Sequence, residues 1–258
     1  RVTPELISAL QEIAGEQYVI TRDPELALYG QDETEDLRYQ AEVAVRPGST
    51  EEVSKILALT YEAGVPVTPR GAGTGLSGGA LPDADGVLLS LTRFSKILEI
   101  DPDAGLARVQ PGVTNLAISE ASAPYGLFYA PDPSSQIACS IGGNVAENAG
   151  GVHCLKYGLT VHNVVQLTVV TVEGEVITVG CEGMASAGPD LLALMIGSEG
   201  MLGIVTEVTV RLLPEPPHCR VVLASFAELE HAGDAVTAVI AEGIVPAGFE
   251  MMDSHAIR

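Results

Sequence analysis

The sequence predicts an α+β chain. Three observations carry this. Two pairs of apolar segments are joined by tight Asp/Gly or Glu/Gly turns as hairpins, helical stretches with capping residues are interspersed among the strands, and the glycine-rich loops are not followed by the helices that a doubly wound parallel sheet requires.

Residues 3–14 read as an amphipathic helix, with Thr3 as N-cap and Pro4 at the first helical position. A polar, acidic stretch follows at 29–40. Val43-Ala44-Val45-Arg46-Pro47 reads as a short strand stopped by Pro-Gly, and Ser49-Thr50-Glu51-Glu52 supplies a capping-box signal for a helix to about Ala63, ended by Gly64. Val65–Pro69 is a second strand, and its prolines assign it to an edge or to an irregular course. Beyond the glycine loop, Gly86–Leu91 is an apolar strand. Ile97–Ile100 and Leu106–Val109 pair across Asp101-Pro102-Asp103-Ala104-Gly105. Thr114–Ala123 is helical in pattern, and 128–158 is a long irregular stretch. Val164–Val172 and Glu175–Val179 form the second hairpin, Asp190–Ile196 a short helix and Ile204–Leu213 a strong strand. The proline run 214–217 is the clearest boundary. Arg220–Ser225 then reads as strand, Phe226–Gly243 as helix and Ala247–Met252 as strand.

The chain has 258 residues, which by a prior of about 150 residues per domain fits one large domain or two modest ones. Hydrophobic residues make up 47%, so wholesale disorder is excluded. Thirteen Lys and Arg face 34 Asp and Glu, a net charge of −21. Such a surface repels phosphate backbones and anionic lipid, so no nucleic-acid partner is expected. The cysteines (Cys139, Cys154, Cys181, Cys219) make no CxxC pair, which suggests neither a zinc site nor a dense disulfide framework and fits a cytoplasmic setting. None of the five histidines has ligand spacing, and each is read as a surface or packed residue. No GxSxG is present.

Three glycine-rich constellations remain. The first is Pro69-Arg70-Gly71-Ala72-Gly73-Thr74-Gly75-Leu76-Ser77-Gly78-Gly79. Glycines let successive backbone N–H groups converge on an anion, and Arg70 adds a fixed positive charge. A Walker loop is excluded because no Lys-Ser/Thr follows. A Rossmann turn is disfavoured because no helical period begins before residue 86; a merely structural loop and a phosphate nest stay open. The second runs from Cys139-Ser140-Ile141-Gly142-Gly143-Asn144 to Asn148-Ala149-Gly150-Gly151. Its Gly-Gly pairs allow close backbone approach to a flat or extended ligand, and its amides offer donors and acceptors. The third is Gly197-Ser198-Glu199-Gly200-Met201-Leu202-Gly203-Ile204-Val205, which alone reads as a helix C-cap and tight turn.

In order, and with VRPGSTEEV at 45–53, these motifs resemble the flavin-binding domain of the vanillyl-alcohol-oxidase superfamily. The branch is that of glycolate oxidase flavin subunits, D-lactate dehydrogenases and D-2-hydroxyglutarate dehydrogenases. The resemblance spans about 40–215. It implies an N-terminal helical segment over 1–40, a two-lobed FAD-binding domain over 41–215 and, over 216–258, the beginning of a truncated α+β substrate or cap domain. It assigns Pro69, Arg70, Gly71, Ala72, Gly73, Thr74, Gly75, Leu76 and Ser77 to the pyrophosphate. Pro131, Ser134, Ser140, Gly142, Gly143, Asn144, Asn148 and Gly151 go to the ribityl chain and ring, and Glu199, Gly203, Ile204 and Val205 lie near the adenosine or ring.

Covalent members carry a flavin-linking His where this chain has Thr74, so the resemblance implies non-covalent FAD. Members of this branch run to about twice this length, and their catalytic and metal-binding residues lie in the later half. This chain therefore reads as an N-terminal fragment with no catalytic or metal residue of its own. The implied reaction is oxidation of a small 2-hydroxy acid to the 2-oxo acid. Implied partners are an iron-sulfur acceptor subunit or an electron-transfer flavoprotein, and a homo-oligomer, in the cytoplasm or peripheral at the inner membrane. Two alternatives stay open: a non-catalytic electron-transfer subunit, and a flavin reductase of the cell-wall nucleotide-sugar type.

Overall fold

Helix α1 (Pro4–Ala14) begins at its expected cap, where the Thr3 hydroxyl accepts from the Leu6 N–H at 3.3 Å. The computed structural model describes residues 1–34, 36–181 and 188–256. After α1 come β1 (Val19–Ile20), α2 (Asp23–Leu26), β2 (Val43–Val45), α3 (Thr50–Glu62), β3 (Val67–Arg70) and β4 (Val87–Ser90). They build a first lobe around a four-stranded sheet of order β1-β2-β4-β3. Strand β1 is antiparallel to β2, whereas β2, β4 and β3 run parallel. The hairpin signals therefore describe only the other lobe. Here α3 is the crossover between β2 and β3, and β3, with its proline, lies at the sheet edge as expected. No helix stands between β3 and β4 among the described residues, so the Rossmann reading is excluded.

The capping box at α3 forms in altered form. The Ser49 hydroxyl accepts from Glu52 N–H at 3.2 Å, but the Glu52 carboxylate takes the Gly48 N–H at 2.7 Å. It also lies 3.7 Å from Arg93, which stacks 3.5 Å over the Tyr18 ring. The motif at 45–53 thus ties helix, strand end and the N-terminal segment together.

The second lobe follows with β5 (Ile97–Asp101), β6 (Leu106–Val109), α4 (Asn115–Ser122), β7 (Leu127–Phe128), α5 (Ile141–Glu147), α6 (Cys154–Tyr157), α7 (Thr160–Asn163), β8 (Val164–Val170), β9 (Val176–Gly180), α8 (Leu191–Met195), β10 (Ile204–Arg211) and β11 (Leu213–Pro214). Its five-stranded sheet has the order β5-β6-β10-β8-β9 and is antiparallel throughout. The stretch 128–158, expected to be irregular, contains α5 and α6.

One buried core unites Leu6, Leu10, Val53, Ile56 and Val87 with Val170 and Ile204 of the second sheet. A second core fills the other lobe through Ile118, Ile141, Leu167 and Val208. The Ser54 hydroxyl donates to the Gly174 carbonyl in the β8–β9 turn, so α3 joins the lobes.

Beyond the prolines, among the described residues, only α9 (Leu229–Ala241) forms, three residues later than the expected start at Phe226. The strands expected at 220–225 and 247–252 are absent. A strand needs a hydrogen-bonding neighbour, and none lies beside them among the described residues. Val221, Val222 and Leu223 are 88–95% exposed.

Candidate functional site

The three glycine motifs, far apart in the chain, converge on one cleft of about 360 Å³. Residues 69–77 with Gly79 and Ala80, which follow β3, form one wall. The start of α5 forms the second, through Ser140, Gly142, Gly143 and Asn144. Glu199, Gly203, Ile204 and Val205, at the entry to β10, form the third. Four expected contacts do not line it. Pro131 sits behind the wall, its carbonyl taken by the Asn115 amide. Asn148 caps α5 at φ 51° and accepts from the Val161 N–H at 3.0 Å. Gly151 backs onto Asp132, and Ser134 is likewise off the cleft, which is reached instead by Pro133 and Ser135.

Local rules explain how the walls are held. Ser140 is the N-cap of α5, its hydroxyl accepting from the Gly143 N–H at 3.3 Å. A Cβ at Gly71 would stand 2.4 Å from that hydroxyl, and one at Gly142 would stand 2.6 Å from Pro111, so these glycines let loop and helix close together. Asn144, 4% exposed, donates to Asn115 at 2.9 Å, and Asn115 in turn donates to Pro131. This chain of amides couples α5, α4 and the 131–135 segment. The signal missed in the sequence was Asn115 itself, a buried amide at the start of a helix.

Arg70 lines the cleft, and its guanidinium is also engaged by the fold. Its guanidinium donates to the carbonyls of Gln31 at 2.8 Å, Ala80 at 3.3 Å and Tyr29 at 3.4 Å. Burial lowers its pKa, with Asp32 and Tyr29 opposing. Its charge underlies the loop while its donors serve the fold.

Of the carboxylates here, Glu199 was expected from the resemblance, whereas Glu147 and Asp32 were not anticipated. Glu147 lines the cleft, and its pKa is raised by burial first and then by Glu199 and Asp32. Glu199 also lines the cleft, in a left-handed backbone at φ 53°, its N–H bound to Ala146 at 2.9 Å. One oxygen of Asp32 is buried without a hydrogen bond, while the other accepts from Thr34. The Thr34 hydroxyl accepts from the Gly78 N–H at 2.9 Å and so braces the loop from outside.

The anion-binding capacity of the cleft therefore lies in backbone. A Cβ at Gly75 would meet nothing within 4 Å, so the main chain at that position borders open space. A phosphate-bearing dinucleotide fits such a cradle, with the α5 start and the β10 entry on either side. Among the described residues no group of three or more His, Cys, Asp or Glu is placed to hold a metal ion.

The FAD binding domain family matches residues 41–180, more than half the chain and all of the first two motifs. The chain belongs to this FAD-binding family. FAD is its cofactor. A second family, the C-terminal domain of FAD linked oxidases, matches residues 215–258.

The glycolate oxidase subunit GlcD of Escherichia coli (strain K12) is 57% identical over 253 residues, covering 98% of this chain and 51% of that protein. A D-lactate dehydrogenase of Anaerostipes hadrus is 38% identical, covering 100% of this chain and 54% of its own length. This FAD-binding chain thus spans about half the length of the curated relatives it matches. Among solved structures, an alkyldihydroxyacetonephosphate synthase superposes with a TM-score of 0.83 at 21% identity, over 96% of this chain and 47% of that one, a likeness of fold. Among the described residues no helix is long and apolar enough to cross a membrane.

Proposed function

We propose that this chain is the FAD-holding part of an oxidoreductase that converts a small 2-hydroxy acid, glycolate or D-lactate or a close analogue, to its 2-oxo acid. The observation that carries the reading is the convergence of three separate glycine motifs on one cleft in a chain of the FAD-binding family. The names of its relatives point to the substrate class.

In this reading the N–H groups of Gly71 to Ser77 hold the pyrophosphate, without a Lys and with little help from Arg70. Ser140, Gly142, Gly143 and Asn144 border the ribityl chain and ring, and the Gly203-Ile204-Val205 backbone borders the adenosine or ring. Pro131, Ser134, Asn148 and Gly151 act from behind the wall. FAD, when bound, supplies a two-electron acceptor; the chain's residues bind it, orient it and exclude water. Thr74 offers no ring nitrogen for a covalent link, so acid denaturation is expected to release all the FAD. Residues 41–215 make up the flavin unit and 216–258 begin the substrate domain, whose partner would be an electron-acceptor subunit in the cytoplasm.

The test is a visible spectrum. The purified chain, supplied with FAD, should retain a yellow flavin after gel filtration. In the full-length protein, glycolate, D-lactate or D-2-hydroxyglutarate should bleach the flavin band under anaerobic conditions. A chain that takes up no FAD overturns the cofactor assignment, and a loaded full-length enzyme bleached by none of the three overturns the substrate class.

A further inference from the structure

Asp132 and His153 stand outside the cleft but are joined more closely than any expectation from the sequence suggested. The His153 main-chain N–H donates to Asp132 Oδ1 at 3.3 Å, and the imidazole Nδ1 donates to Asp132 Oδ2. Both carboxylate oxygens are thus held by one residue. An ionised carboxylate only accepts, so the proton of this bond sits on Nδ1. The backbone closes as well: Asp132 and Gly151 form a parallel bridge, and a Cβ on Gly151, at φ 117°, would lie 2.3 Å from the Asp132 carbonyl.

Each partner is next to a cleft wall. Pro133 follows Asp132 and lines the cleft with Ser135; Ala149 lines it just before Gly151. On its other side, Pro131 is held by Asn115, which is tied to the cleft residue Asn144. The outer face of the imidazole meets Tyr157 edge-on at 6.4 Å. A side chain at Gly248, in the segment matched by the C-terminal domain of FAD linked oxidases, would come within 3.1 Å of Val152 and 3.6 Å of the His153 ring.

We infer that Asp132 and His153 form a positioning clasp that holds the 131–135 wall of the cleft against residues 149–153 and carries that wall to the seam with the C-terminal segment. The inference rests on the cleft being the FAD site. The carboxylate aligns the ring, and the ring fixes the carboxylate, so neither end of the wall drifts from the cofactor. Position, and not acid–base chemistry at the cofactor, is the contribution, because neither residue lines the cleft.

The test uses Asn as a donor surrogate. The amide nitrogen of Asn lies near the place of imidazole Nδ1, whereas that of Gln lies near Nε2. FAD affinity of the wild-type chain, H153A, H153Q, H153N and D132N is measured by quenching of flavin fluorescence, with the fine structure of the visible band recorded alongside. The melting temperature of each FAD-free chain is the folding control.

H153A, H153Q and D132N should weaken FAD binding by about tenfold, the loss of one charge-assisted hydrogen bond, and alter the fine structure of the band. H153N should stay within about twofold of wild type. The clasp is overturned if H153A and D132N bind FAD as wild type does, or if H153N falls as far as H153Q. Should H153A fail to fold, the contrast of H153N with H153Q decides alone. A wild-type chain that binds no FAD refutes the cleft reading before any variant is compared.

Discussion

Gly73 shows most directly how one residue controls the cleft. It has φ 75°, and a Cβ there would stand 2.3 Å from the Arg70 guanidinium, which is itself fixed by three carbonyls. Replacing it with Val combines backbone strain with displacement of that guanidinium. Gly73→Val should therefore lose more than about tenfold in FAD affinity, measured by equilibrium dialysis; unchanged binding would remove the loop from the site. Glu147 makes a second prediction at this scale. Its pKa is raised in the fold, so the native state holds this proton more tightly than the unfolded chain. Stability is then greatest below the ordinary carboxyl range and declines as pH rises from that range up to the raised value. Glu147→Gln should remove the decline, so that its melting temperature exceeds that of wild type increasingly as pH rises above the ordinary carboxyl range. A difference between the two that does not vary with pH would refute this. The glycines were legible in the sequence because their residue type states a backbone requirement. Glu147 and Asp32 were not, since their proximity to Glu199 depends on three distant segments.

At the scale of elements, α5 is the part of the site that depends most on a local signal. Its N-cap Ser140 satisfies the Gly143 N–H, and it touches the place where a Gly71 side chain would be. Ser140→Ala should cost about 1 kcal/mol. For a chain of this size that lowers the melting temperature by about 2–4 °C. Because the helix start borders the cleft, FAD affinity should fall with it; thermal melts with and without FAD separate the two effects. The capped helices α1, α3 and α4 and both hairpins were legible, since caps, turns and alternation act within a few residues. The strands expected at 220–225 and 247–252 failed for the opposite reason. A strand's stability lies in its partner, and alternation alone cannot supply one. The parallel order β2-β4-β3 was hidden on the same account.

For the whole molecule the dominant fact is the net charge of −21. Glu147 and Glu199 line the cleft, and the one charged donor among its described lining residues, Arg70, is engaged by carbonyls. A dianionic cofactor approaches against this field, and salt screens repulsion as it screens attraction. Raising NaCl from about 20 mM to about 300 mM should therefore tighten FAD binding, the reverse of what a basic phosphate site shows. Weaker binding at high salt, read by fluorescence titration, would mean that Arg70 or another cation turns toward the phosphates.

The sequence alone determined where phosphate-binding backbone could exist, which helices start at caps, and which family the ordered motifs belong to. These are properties of short segments, governed by residue type and spacing. The tertiary structure decided that the three motifs share one cleft and that Arg70 faces carbonyls. It also placed Pro131 and Gly151 behind the wall and brought Asp132 to His153. Each of these is a contact between segments distant in the chain, made by packing two lobes around α3, and local pattern carries no record of it.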